Sequence, residues 1–233
     1  MNIVITGASK GMGKALAIRF AKPENSIYIC ARNEAELANT AKEIKEKNNG
    51  PVEYFSADLS ERTSVVKFAH WLSAQKVVPA ILINNAGSFL PGSVYNEPEG
   101  TLEKMIATNL YSAYYVTRAV LPSMMKKKAG HIFNMCSIAS LHAYRNGGSY
   151  SISKYALMGL SKNLREELKP YNIKVTTVYP GAVYTSSWEG SGVGISRIMD
   201  VNDIAEMIYA ASSLSPQACV EDIVIRPQLG DIP

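Results

Sequence analysis

Asn2-Ile3-Val4-Ile5-Thr6-Gly7-Ala8-Ser9-Lys10-Gly11-Met12-Gly13 is the stretch on which the fold turns. Residues 2–6 form a short apolar, β-branched run, which reads as a strand. The run breaks at Gly7, and a helical pattern follows over 13–21, ending near Pro23. A strand that passes through glycines into a helix gives each glycine a task. Gly7 lets the chain turn sharply, Gly11 lets backbone approach a phosphate with no Cβ in the way, and Gly13 allows close contact between helix and strand. The helix N-terminus then offers free N–H groups and the positive end of its dipole to a pyrophosphate. An ordinary glycine-rich turn is the alternative, and the placement between a first strand and a helix favours the dinucleotide site. The spacing is G-x-x-x-G-x-G, which departs from the usual G-x-G-x-x-G.

Outward from this opening, apolar runs alternate with helical patterns. Strands are expected at 26–31, 52–56, 80–83, 131–135, 174–179 and 222–226, and helices at 34–48, 62–74, 101–127, 150–168 and 201–211, with Pro122 breaking the long helix near its end. Strand–helix alternation implies crossover connections and a parallel sheet covered on both faces. The expectation is an α/β fold, a single-domain Rossmann-type doubly wound parallel sheet of about seven strands with helices on both faces, spanning residues 1–233.

The composition agrees. Of 233 residues, 47% are apolar and 19% charged, which suits a packed core and excludes a disordered chain. No apolar run reaches the roughly 18 residues of a membrane span. Met1 to Gly7 carries no basic region or cleavage site, so no export signal is expected. The net charge of +4 is too small to argue for nucleic acid. Cys30, Cys136 and Cys219 have no metal-like spacing, so neither a disulfide framework nor a bound metal is expected, in keeping with a cytoplasmic location.

A site for NAD carries an Asp or Glu about 20 residues past the glycines, on the ribose hydroxyls. Here the second strand ends Ile29-Cys30-Ala31-Arg32, without an acid. Arg32 is placed to fork onto a 2′-phosphate, and Lys10 adds a second positive charge; read alone, each is an ordinary surface cation. The pairing of both with the missing acid favours NADPH/NADP+ as cofactor.

Tyr150-Ser151-Ile152-Ser153-Lys154 sets a phenol and an ammonium four residues apart on one helix face. A free phenol has a pKa of about 10. A neighbouring cation stabilises the phenolate and lowers that value, which would let Tyr150 act as a general acid towards a carbonyl oxygen. Ser137 follows a strand at the carboxyl edge, where ligands bind in such sheets, and its hydroxyl is placed to bond the same oxygen. Asn109 is a poor helix former inside the long helix. It is either a tolerated polar residue or the mark of a kink whose freed carbonyl holds a water near Lys154.

These motifs together resemble the short-chain dehydrogenase/reductase family, in its single-domain branch, over essentially the whole chain. The markers are Thr6-Gly7 with Gly11 and Gly13, Asp58-Leu59, Asn84-Asn85-Ala86-Gly87, Asn109, Ser137, Tyr150 with Lys154, and Pro180-Gly181-Ala182-Val183-Tyr184-Thr185. The resemblance implies a catalytic tetrad of Asn109, Ser137, Tyr150 and Lys154. It implies that Asp58 and Leu59 meet the adenine and that Asn85, Ala86 and Gly87 line its ribose. Pro180, Gly181, Val183 and Thr185 would hold the nicotinamide, with Tyr150 and Lys154 at its ribose. Gly7, Ser9, Lys10, Gly11, Met12, Gly13 and Arg32 would hold the phosphates. It further implies a homodimer or homotetramer paired through the helices around Asn109 and Tyr150.

The implied activity is NADPH-dependent reduction of a ketone or aldehyde. A short lid is expected over residues 186–200, where Gly190, Gly192 and Gly194 suggest mobility. Trp188 would either cap the substrate or anchor the lid, and Phe89, His142 and Tyr144 are further substrate candidates. The tail Arg226-Pro227-Gln228-Leu229-Gly230-Asp231 resembles bacterial sepiapterin-reductase-like members, which favours a sepiapterin or diketone type of substrate. The alternative is a 3-oxoacyl-[acyl-carrier-protein] reductase, for which Lys126-Lys127-Lys128 would offer a basic surface, although Tyr171 stands where that group has an arginine. A dinucleotide-binding sensor without turnover is a more distant third reading.

Overall fold

In the computed structural model, which describes residues 1–48, 50–188, 190 and 192–231, the alternation becomes a seven-stranded sheet. The first half supplies β1 (Asn2–Thr6), α1 (Gly11–Phe20), β2 (Ser26–Ala31), α2 (Glu34–Asn48), β3 (Val52–Ser56), α3 (Arg62–Ala74) and β4 (Ile81–Asn84). The second half supplies α4 (Thr101–Ile106), α5 (Ser112–Lys127), β5 (Gly130–Met135), α6 (Gly148–Leu168), β6 (Ile173–Pro180), α7 (Val201–Ser212) and β7 (Asp222–Ile225). The strand order is β3-β2-β1-β4-β5-β6-β7, and the pairings are parallel.

The order reverses between β1 and β4, and at such a switch point the strand ends open a crevice. Ile3 and Ile5 lie in register with Ile81 and Ile83. The turns after Thr6 and Asn84 therefore emerge side by side at that crevice. Alternation within β1 shows why the sheet is buried on both faces. Ile3 and Ile5 pack with Leu16 and Phe20 of α1 and Ile204 and Ile208 of α7, whereas Val4 packs with Phe68 of α3 and Val116 of α5. Each fully buried side chain of this size contributes about 1.5–3 kcal/mol.

The bounds of β1, β2, α2, β3 and α3 are those read from the sequence. α1 and α6 each start earlier than the pattern suggests, at Gly11 and Gly148. A glycine in the first turn costs little order there, because its N–H has no intrahelical partner in any case. Pro122 does not break the helix and lies inside α5. It withdraws the N–H that would meet the Arg118 carbonyl, but Arg118 lies on the exposed face of the helix, while Val116, Val120 and Met124 hold the helix to the sheet. Between α4 and α5 the helix loosens into a π turn over Ala107–Tyr111, where the Ser112 N–H donates to the Ala107 carbonyl. That is the kink the sequence suggests at Asn109.

Among the described residues, no helix is long and apolar enough to cross a membrane, and Cys30, Cys136 and Cys219 are free thiols.

β5 carries a buried histidine near its start. The ring of His131 stacks on Phe133 with centroids 3.9 Å apart, and its Nε2 lies 2.7 Å from Thr176 Oγ1 on β6. Burial, aided by the Lys174 ammonium, pushes its pKa down to about 3. In the unfolded chain the same imidazole titrates near about 6.5. The unfolded state therefore binds a proton that the folded state refuses, and stability falls as pH drops below about 6.5, by up to about 1.4 kcal/mol per pH unit from this group. The difference in urea-unfolding free energy between pH 7 and pH 5 should accordingly shrink in His131→Gln. An unchanged difference would show that His131 does not carry the acid sensitivity.

Candidate active site

The site begins at the switch point. Gly7 and Gly11 have φ of +65° and +55°, the left-handed region that favours glycine. Gly13 is constrained by space instead: a Cβ there would lie 2.2 Å from the Gly7 carbonyl oxygen and 2.5 Å from Asn85 Nδ2. That Asn85 amide donates to the carbonyls of Thr6 and Gly7, each at 3.0 Å. In return, Thr6 Oγ1 accepts the N–H groups of Asn85 and Ala86 at 3.1 and 3.0 Å. Lys10, at the N-cap of α1, makes no side-chain cap, so the first N–H groups of the helix are left for another acceptor.

A cleft of about 1150 Å³ runs along the carboxyl edge of the sheet. Arg32 borders it after β2, Asp58 after β3, Gly7 after β1, Gly87 after β4, Ser137 after β5 and Pro180 at the end of β6. Ser9, Lys10, Gly11, Met12, Gly13, Leu59, Asn85, Ala86, Gly181, Val183 and Thr185 border the same cleft, as do Tyr150 and Lys154. The glycine cradle, the uncapped helix start and this length of cleft suit a dinucleotide. At one end Arg32 and Asp58 form a loose ion pair at 3.9 Å, both well exposed, so little energy opposes Arg32 turning to another anion. Asp58 is fixed by Ser60, whose N–H and hydroxyl donate to Oδ1 at 3.0 and 2.7 Å. No group of His, Cys, Asp and Glu among the described residues is arranged to hold a metal.

At the other end, Ser137 leaves β5 and caps a short 3-10 turn, its Oγ accepting the Ala139 N–H at 3.1 Å. Tyr150 and Lys154 project from the first turns of α6. The Lys154 ammonium is buried and donates to the Met135 carbonyl at 2.7 Å, with its Nζ 5.8 Å from the centre of the Tyr150 ring. The cation does not set the phenol's pKa as the sequence suggests. Burial pushes Tyr150 up, against an opposing pull from the Ser137 hydroxyl, and burial likewise pushes Lys154 down. The reason is that the ammonium is moored to a backbone carbonyl rather than to the phenol.

Asn109 alone of the four does not border the cleft. It is fully buried, donating from Nδ2 to Ser153 Oγ at 2.9 Å and to the Ser88 carbonyl at 3.0 Å, and accepting the Ser88 N–H at 2.8 Å. It ties the π turn to the loop after β4 and to α6.

Phe89, His142, Tyr144 and Trp188 all border the cleft. The Phe89 ring meets Tyr150 edge-on with centroids 4.9 Å apart. Tyr144 is pushed up to about 12, by burial first and then by Tyr150. Of the expected lid, residues 189 and 191 (Glu189, Ser191) lie outside the described residues. Its short 3-10 turns cover Ser186–Trp188 and Ile195–Arg197. Arg197 fastens it to the tail, donating to the carbonyls of Gly230, Leu229 and Asp231 at 2.9, 3.3 and 3.0 Å. Arg226 and Asp231, which pair with each other, also border the cleft, as does Glu36, whose carboxylate accepts the Ser9 hydroxyl at 3.1 Å. Nothing in the sequence pattern gives these three a place in the site. The tail pair is visible only as part of an ending, and Glu36 only as an acid in the first turn of a helix.

Residues 1–192 match the model of the family described as short chain dehydrogenase. The chain is 30% identical over 224 residues to an uncharacterized oxidoreductase of Staphylococcus saprophyticus, covering 96% of each. It is 29% identical over 238 residues to the sepiapterin reductase of Chlorobaculum tepidum, covering 99% of this chain and 97% of that one. The crystal structure of a metagenomic short-chain oxidoreductase in complex with NADP is similar with a TM-score of 0.85 and 28% identity, covering 98% of this chain and 97% of that chain.

The packing at the glycine turn can be tested without a ligand. Gly13→Ala should lower the unfolding free energy by about 1–3 kcal/mol, the range for overpacking. Gly159→Ala is the control: it lies within α6, and a Cβ there meets nothing within 4 Å. That change should stabilise by up to about 1 kcal/mol. Equal effects from the two variants would contradict the close packing at Gly13.

Proposed function

The chain belongs to the short-chain dehydrogenase family, and on that premise we propose that it is an NADPH-dependent carbonyl reductase acting on small ketones or aldehydes of the sepiapterin or vicinal-diketone type. Membership makes it an oxidoreductase. The observation that carries the finer reading is that Ser137, Tyr150 and Lys154 converge on one end of a cleft whose other end holds Lys10 and Arg32. When bound, NADPH supplies the hydride that reduces the carbonyl carbon.

Tyr150 holds the proton destined for the carbonyl oxygen. Its raised phenol is protonated at neutral pH and is therefore a donor. Ser137 donates a hydrogen bond to the same oxygen, fixing and polarising it. Lys154, anchored on the Met135 carbonyl, would bind the nicotinamide ribose hydroxyls of a bound cofactor. Asn109 holds the π turn open, so that a freed carbonyl there keeps a water in line to resupply protons through Lys154. The chain's contribution is orientation and electrostatics, with the difficult chemistry carried by the cofactor.

The preference for NADPH rests on Lys10, Arg32 and the absence of an acid at the end of β2. It is supported by the likeness to an oxidoreductase solved with NADP. The substrate class is supported by the likeness to a sepiapterin reductase over nearly the whole chain. Residues 1–233 act as one domain, with 186–200 closing over substrate beside Phe89, His142, Tyr144 and Trp188. The protein works in the cytoplasm as a homodimer or homotetramer. The half-exposed Tyr111, Ile152 and Tyr155 on the π turn and α6 serve that contact.

NADPH oxidation, followed by absorbance, should be fastest with sepiapterin or a vicinal diketone in a panel that also holds an aromatic aldehyde and a β-ketoacyl thioester. Preference for the thioester would move the protein to fatty-acid chemistry, and NADPH binding without any turnover would make it a sensor. Tyr150→Phe should cut turnover by roughly 10²–10⁴-fold while leaving NADPH affinity nearly intact. Arg32→Ala should raise the KM for NADPH by roughly ten- to a hundredfold, the worth of a charged hydrogen bond, and leave NADH unaffected.

A further inference from the structure

The helix that carries Tyr150 and Lys154 has no local side chain to cap its start: α6 begins after Gly147, which makes no cap. Its leading N–H groups need acceptors all the same. One comes from Glu97, 52 residues upstream in the segment between β4 and α4. The Ser149 N–H donates to Glu97 Oε2 at 3.2 Å, and the Ser149 hydroxyl donates to Glu97 Oε1. Ser149 is 1% exposed and immediately precedes Tyr150. A carboxylate at this end of a helix is also favoured by the helix dipole.

The fit around this contact is close. Gly148 has φ +31°, and a Cβ there would lie 2.4 Å from the Gly92 carbonyl oxygen and 2.8 Å from Glu97 Oε2. The same segment is stitched on by the Gly92 N–H, which donates to the Asn146 carbonyl at 3.1 Å, and by Ser93 Oγ, which donates to Asn146 Oδ1 at 2.9 Å. From the segment's other end, Phe89 leans on the Tyr150 ring. The loop after β4 thus grips the start of α6 just before Tyr150 and also touches the Tyr150 ring.

We propose that Glu97 is a positioning residue: its carboxylate fixes the first turn of α6 and thereby the reach of the Tyr150 phenol into the cleft. The inference rests on the reading of Tyr150 as the proton donor. No local cap replaces Glu97 when it is lost, and the first turn is then free to open to water. The groups that face the phenol, namely Ser137, Cys136, Lys154 and Tyr144, stay in place.

The test compares Glu97→Ala, Glu97→Gln and Tyr150→Phe. Three quantities are read: turnover at saturating NADPH with the best carbonyl of the panel above, NADPH affinity, and the ultraviolet titration of the phenol. The titration is taken as the difference between each Glu97 form and the same form carrying Tyr150→Phe. Glu97→Ala should lower kcat roughly ten- to a hundredfold, as small misplacements of a catalytic group do, with NADPH affinity held within about twofold. Its phenol should titrate lower, towards the ordinary value of about 10, because water replaces the fixed first turn. Glu97→Gln keeps an oxygen acceptor and should recover kcat to within about threefold of the parent. Wild-type kcat and an unmoved phenol titration in Glu97→Ala, with Tyr150→Phe inactive, would overturn this inference alone. Wild-type turnover in Tyr150→Phe would overturn the reading of the acid beneath it.

Discussion

One side-chain amide, that of Asn85, spans the switch point of the sheet and bonds the backbone on its far side. It holds the carbonyls of Thr6 and Gly7, while Thr6 Oγ1 holds the N–H groups of Asn85 and Ala86. β1 and β4 diverge just beyond this point, and without such a tie their loops would part. With it, the Gly7 turn is fixed against the start of α1, and Gly13 is pressed so close to Gly7 and Asn85 that no Cβ fits. The uncapped N–H groups of α1 are therefore aimed by the sheet itself.

The same logic extends inward along a buried polar chain. Asn84 Nδ2 donates to Asn134 Oδ1 at 2.8 Å and to Thr117 Oγ1 at 2.9 Å. Asn134 Nδ2 donates to Ser161 Oγ at 3.0 Å, and the hydroxyls of Ser161 and Thr177 lie 2.7 Å apart. This chain joins β4, β5 and β6 to α5 and α6. Asn109 makes a second junction nearer the cleft, through Ser88 and Ser153. In a core of low dielectric such bonds are strong when complete and costly when broken, so they favour a single arrangement of the helices that carry Tyr150 and Lys154.

Much of this is legible in the sequence because it is local. The β-branched run 2–6, the glycines after it and the alternation that follows are near-neighbour patterns, and the sheet follows from them. An asparagine in mid-helix marks the π turn for the same reason. Pro122 misleads because the packing of Val116, Val120 and Met124 on the sheet holds the helix through it, which is a tertiary matter. The Tyr150–Lys154 spacing puts both groups on one face but hides that the ammonium binds Met135 and that burial governs the phenol. Glu36, Glu97 and Arg197 escape the reading altogether, since their partners lie 27, 52 and more than thirty residues away along the chain.

The central claim is that this cleft moves a hydride to a carbonyl carbon while Tyr150 supplies the proton. The most direct test is to offer the protein NADPH deuterated at the transferring carbon, with sepiapterin or a vicinal diketone, and to analyse the alcohol by mass spectrometry and NMR. The account predicts one deuterium on the former carbonyl carbon with the wild-type chain and almost none with Tyr150→Phe. Tight binding of the labelled cofactor, with no deuterium in any alcohol, would contradict it.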